Sequence, residues 1–120
     1  MSYLLDTNSF VEHLRRGSTS NVTAKLVAAS PGSVYLCSVV LAELLYGARH
    51  SNAAHQAANL ALVARLRRQF VSLPFDDRSA EEYGILRAHL SILGALIGPN
   101  DLMIAAIASQ STDVGHAQHQ

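Results

Sequence analysis

The 120-residue chain contains a single cysteine, Cys37, so no internal disulfide can form. Cys37 lies inside the apolar run "VYLCSVV" and reads as a small buried hydrophobe in a reducing compartment, which points to the cytoplasm. Neither charge sign is in excess: nine Lys and Arg balance nine Asp and Glu. A strong global field that would gather nucleic acid or anionic membrane is thereby excluded. No apolar run approaches the ~20 residues that cross a bilayer, and no basic stretch precedes an apolar core at the start, so a soluble protein without membrane contact is expected. Internal repeats, low-complexity tracts and linkers are absent. The six His show no zinc or triad spacing, and His13 and His50 are expected on the surface.

What remains is compact in composition. Hydrophobic residues make up 49% and charged residues 15%, enough for one core and one domain over residues 1–120. "SYLLD", "SVYLCS" and "VSLPF" read as short buried strands, the last closed by Pro74. Helical spacing follows each of them. Phe10, Val11 and Leu14 mark one helix and "NVTAKLVAA" a second, ended by "SPG". Ser38 is placed to cap "VVLAELLYGA". Leu62, Val63, Leu66 and Phe70 mark a long amphipathic helix from about Ala54, with Arg65, Arg67 and Arg68 on other faces. "DDRSAEEYGILRAHLSILG" opens with acids in its first turn and puts Tyr83, Leu86, Leu90 and Leu93 on one stripe, of which Tyr83, Leu86 and Leu90 are expected in the core. "GPND" turns into a last helix, "LMIAAIAS". Strands alternating with helices predict an α/β fold with a mostly parallel central sheet and helices on both faces. Such sheets place ligands beyond the carboxyl ends of their strands, where Asp6 sits.

Three of the nine acids stand out against this background. Asp6 and Asp101 each open a helix and have an ordinary alternative as caps. Glu43 has none: Val39, Val40, Leu41, Ala42, Leu44 and Leu45 around it all favour burial, and an unpaired carboxylate there costs several kcal/mol. Bringing Glu43 to the same strand-end face as Asp6 and Asp101 resolves this only if a cation offsets their repulsion. Oxygen donors without Cys or clustered His favour a hard ion, Mg²⁺ or Mn²⁺, and with it a phosphoryl or phosphodiester substrate. A phosphoreceiver or phosphatase reading fails, because position 8 is Asn and the only lysine, Lys25, comes too early.

Four segments, "YLLDTNSFVEHL", "SVVLAELLYGARHS", "LPFDDRSAEEYGILRAHL" and "IGPNDLMIAAIA", together resemble, in order, the motifs of the PIN-domain ribonucleases, in particular the VapC-like toxins of type II toxin-antitoxin pairs. The resemblance covers residues 3 to about 108. It implies a PIN-like three-layer domain in which Asp6, Glu43 and Asp101 are the catalytic and metal-binding acids, with Thr7 and Asn8 supporting the first. It also implies a magnesium-dependent endoribonuclease that cleaves RNA through metal-activated water, a cognate antitoxin partner and a homodimer. Arg49 and Arg87 are the candidate RNA contacts, alongside the arginines of the long helix. The family's closing strands have no convincing counterpart: about 109–120, "SQSTDVGHAQHQ", is an atypical polar tail, and Asp113 comes too early for a fourth acid. A catalytically impaired homologue that binds antitoxin without cleaving RNA is the alternative.

Overall fold

The computed structural model describes residues 3–4, 6–16, 32–95 and 97–111. Strands β1 (Tyr3–Leu4), β2 (Val34–Cys37) and β3 (Val71–Leu73) form a parallel sheet in the order β1-β2-β3. Tyr3 lies opposite Val34 in one pair, and Tyr35 opposite Val71 in the other. β2 is central, and its Val34, Leu36 and Cys37 are all buried, as expected of a parallel strand covered by its neighbours. Because the strands run the same way, Leu4, Cys37 and Leu73 end along one sheet edge, and the next helices begin there.

Helix α1 (Thr7–Arg16) starts three residues beyond the end of β1. Asp6 caps it: the Ser9 amide donates to Asp6 Oδ1 at 2.8 Å and the Phe10 amide to the Asp6 carbonyl at 3.3 Å. Helix α2 (Ser38–His50) follows β2 without a loop. Ser38 is not its cap. Cys37 holds that position with no side-chain bond, and the Ser38 hydroxyl instead accepts the Phe75 amide at 3.0 Å, pinning the exit of β3 to the start of α2.

Helix α3 (Ala53–Gln69) is reached across Ser51 and Asn52, and the Asn52 side chain accepts the His55 amide at 3.2 Å. Val63 and Leu66 are its buried residues, matching the predicted amphipathic stripe. His13 departs from its expected surface position: it is half-buried, and burial together with the nearby Arg65 guanidinium holds its pKa below the ordinary imidazole value.

Helix α4 (Asp77–Leu93) is capped by Asp76, whose Oδ1 accepts both the amide and the hydroxyl of Ser79, at 2.9 and 3.0 Å. Those bonds hold the Asp76 carboxyl below the usual carboxylate range. The helix ends at Gly94, with φ at +74°, a left-handed conformation that suits glycine. Helix α5 (Pro99–Ser111) begins with Pro99 in its first turn, and the Leu102 amide donates to the Gly98 carbonyl at 3.0 Å.

The core gathers Phe10 from α1, Leu36 and Cys37 from β2, Val40, Leu44 and Ala48 from α2, Val63 and Leu66 from α3, and Ile107 from α5. The predicted core stripe of α4 is corrected: Tyr83, Leu86 and Leu90 are only half-buried and Leu93 is 64% exposed, while Ser79 is the helix's buried residue. The stripe borders an open groove of about 310 Å³, lined on its other side by Pro99 and Leu102 of α5. "NVTAKLVAA" and residues 112–120, including Asp113, lie outside the described residues.

Gly84 sits inside α4, and a Cβ built there meets nothing within 4 Å. Gly84→Ala is expected to raise stability by about 0.5–1 kcal/mol through lower backbone entropy of the unfolded chain, read as a higher urea midpoint at unchanged slope.

Candidate functional site

Two helix starts and one helix interior meet at the carboxyl edge of the sheet. Glu43, in the second turn of α2, is half-buried, and both of its oxygens are engaged. The Thr7 hydroxyl donates to Oε1, and Asn100 Nδ2 donates to Oε2 at 2.9 Å. Thr7 follows Asp6, and Asn100 precedes Asp101. One carboxylate therefore ties together the chain segments that carry the other two acids.

Among the described residues no basic side chain pairs with Glu43, and the hydrogen bonds to this half-buried acid come from neutral donors. Thr7 supports Glu43, a role different from the expected support of Asp6. Asn8 is exposed at the start of α1. The Asn100 amide is the Glu43 partner the sequence reading misses; "GPND" signals a turn, and a turn residue carries no sign of a partner 57 positions away.

Asp6 and Asp101 are both exposed. Asp6 has taken the Ser9 amide as a local donor, and among the described residues no three Asp, Glu, His or Cys side chains are drawn together as an ion-holding group. The chemistry on offer is carboxylate, hydroxyl and amide oxygen, which fits a hard divalent ion held partly through water.

Cys37 adds no ligand. Its thiol is buried, and burial, aided by the Glu43 carboxylate, pushes its pKa up against the opposing Val39 and Val40 amides. The native protein is expected to react with a disulfide reagent at pH 8 only through opening, and rapidly once guanidinium is added; thiol titration with and without denaturant checks this.

Glu43 also divides two clefts. One, of about 620 Å³, is lined by Val39, Ala42, Tyr46, Asn100 and Met103; the other, of about 320 Å³, runs past Thr7, Gly47 and Asn59. Arg49 is exposed at the end of α2, where its carbonyl accepts Gln56 Nε2 at 2.9 Å. Arg87 is exposed on α4, donating to the Tyr83 hydroxyl at 3.1 Å with its guanidinium 5.9 Å from that ring's centroid. It borders the groove whose Pro99 and Leu102 bracket Asn100 and Asp101.

The PIN domain family model matches residues 3–114. The chain belongs to the PIN-domain family. Within it, the domain is similar to Ribonuclease VapC2 of Haemophilus influenzae, 31% identical over 108 residues, covering 90% of this chain and 79% of that protein. It is equally similar, at 31% over 115 residues and the same coverage, to the tRNA(fMet)-specific endonuclease VapC of Salmonella typhimurium. Among solved structures, VapBC2 from Rickettsia felis, bound to a promoter DNA fragment, superposes on this PIN domain with a TM-score of 0.81 at 27% identity, covering 93% of this chain and 83% of that one. The expected α/β PIN fold is therefore the observed one. No helix among the described residues is long and apolar enough to cross a membrane.

Proposed function

We propose that this PIN domain is a magnesium-dependent endoribonuclease, with Mn²⁺ as a substitute ion, acting in the cytoplasm as the toxin of a toxin-antitoxin pair. The carrying observation is Glu43, held by Thr7 and Asn100 between the segments that bear Asp6 and Asp101. Asp6, Glu43 and Asp101 would hold the ion. When bound, such an ion supplies activated water and charge stabilisation on the phosphodiester oxygens.

The chain's own residues do the rest. Thr7 and Asn100 fix the Glu43 carboxylate in direction, and the Asp6 cap anchors the first acid to the start of α1. Arg49 and Arg87 offer guanidinium groups to backbone phosphates on either side. An antitoxin is the proposed protein partner, in line with the VapBC2 complex from Rickettsia felis. A homodimer would bury the apolar residues left open at the end of α4, where Ile92 is 83% exposed.

The test is decay of a tRNA mixture with pure protein in Mg²⁺, wild type against Asp6→Asn, with and without chelator. The Salmonella typhimurium relative's name makes initiator tRNA the first species to follow. Decay by the wild type alone, abolished by chelator, supports the reading. Equal decay in both proteins overturns it, and decay in neither leaves a homologue that binds without cutting.

A further inference from the structure

Next to the acids lies an aromatic surface that hydrolysis itself does not use. Tyr46 is three residues beyond Glu43 on α2, a spacing that makes the two neighbours on one helix face. It is 68% exposed, whereas the core aromatic Phe10 is fully buried. Its ring stacks on His50, four residues further on, with centroids 5.3 Å apart and planes 13° from parallel. The stack holds the tyrosine ring in place although most of it stays in solvent. Tyr46 and Glu43 line the same cleft, about 620 Å³, whose other walls are the apolar Val39, Ala42 and Met103 and the amide of Asn100.

These features match the requirements of an unpaired nucleobase. A flat ring held from one side gives a stacking surface, small aliphatic side chains give room, and a half-buried methionine on the far wall adapts to either ring size. A base seated there leaves its adjoining phosphate beside Glu43, one helical turn away. A paired base could not reach the ring without leaving its helix, since sequence-tolerant recognition of RNA by stacking acts on unpaired bases.

We propose that Tyr46, backed by His50, is the positioning residue that stacks an unpaired base of the substrate next to the acids. This rests on the ribonuclease reading above. The phosphodiester chemistry stays with the acids, and Tyr46 contributes to seating.

The experiment measures steady-state cleavage in Mg²⁺ of an RNA hairpin, cut in its loop, and of a fully paired duplex, by the full chain as wild type, Tyr46→Phe and Tyr46→Ala. Tyr46→Ala is expected to raise KM for the loop about 5- to 100-fold, the span of a lost base stack, with kcat nearly unchanged. Tyr46→Phe keeps the ring and is expected to stay near wild type. All three proteins are expected to share one melting temperature, because the side chain is exposed. If the wild type cuts and Tyr46→Ala keeps the wild-type KM, the inference falls while the ribonuclease reading stands. The same holds if Tyr46→Phe loses as much as Tyr46→Ala, which would place the effect in the hydroxyl, or if Tyr46→Ala alters only the oligomeric state by light scattering, which would make this face a protein interface. If the wild type cuts neither RNA, the ribonuclease reading fails and takes the inference with it.

Discussion

Glu43→Gln and Asp101→Asn are each expected to reduce RNA cleavage by on the order of 10²–10³-fold or more, the scale of losing a group that stabilises charge in the transition state. Both changes keep size and shape and remove one negative charge. Glu43 is half-buried, but its helix is stabilised by Val40, Leu44 and Ala48 in the core, so the neutral amide should leave the fold intact. Activity should therefore fall while the melting temperature holds. The two residues that hold Glu43 should show a milder loss. Thr7→Val and Asn100→Ala each remove one donor, and orienting partners of a metal-site ligand typically contribute about 10- to 100-fold. Steady-state cleavage beside a thermal melt for each variant checks the ranking. Acids falling no further than their holders would contradict it.

The second large effect lies in the core. Phe10 is fully buried and meets Phe70 edge-to-face, with centroids 5.5 Å apart and planes at 67°. Phe10→Ala is expected to cost about 3–5 kcal/mol, the usual loss for a fully buried phenylalanine. That is a large part of the ~5–15 kcal/mol that holds a typical domain, and for a chain this short it lowers Tm by about 10–20 °C. Phe10→Leu, which retains most of the volume, should cost less than about half as much. The loss also reaches the site, because Phe10 anchors α1 one turn after the Asp6 cap and the Thr7 hydroxyl. Denaturant unfolding of the two variants measures the first effect, and cleavage below the new transition measures the second.

Much of this was legible from residue order, for identifiable reasons. β2 could be read because "VYLC" is continuously apolar, which is what a strand covered on both sides requires. The long helix α3 could be read because Val63, Leu66 and Phe70 keep helical spacing. Glu43 was conspicuous because its neighbours favour burial and it does not. The misread features depend on partners distant in sequence. Ser38 has the composition of a cap, but its hydroxyl is taken by the Phe75 amide, 37 positions on. Asn100 reads as a turn residue until α2 brings Glu43 to it. The stripe on α4 has core spacing, yet periodicity shows which residues share a face and not how fully another element covers it; here α5 packs against α4 but leaves a groove between them. His13 differs for the opposite reason, since α3 brings Arg65 close to a residue that local sequence places on the surface.

The central claim is that Asp6, Glu43 and Asp101 share one hard ion although they come from three separate stretches of chain. Mn²⁺ affinity, followed by the EPR signal of the free ion, tests it most directly on the wild type, Asp6→Asn and Asp101→Asn. The account predicts one site whose affinity drops at least about 10-fold in each variant. Equal affinity in all three proteins would contradict it.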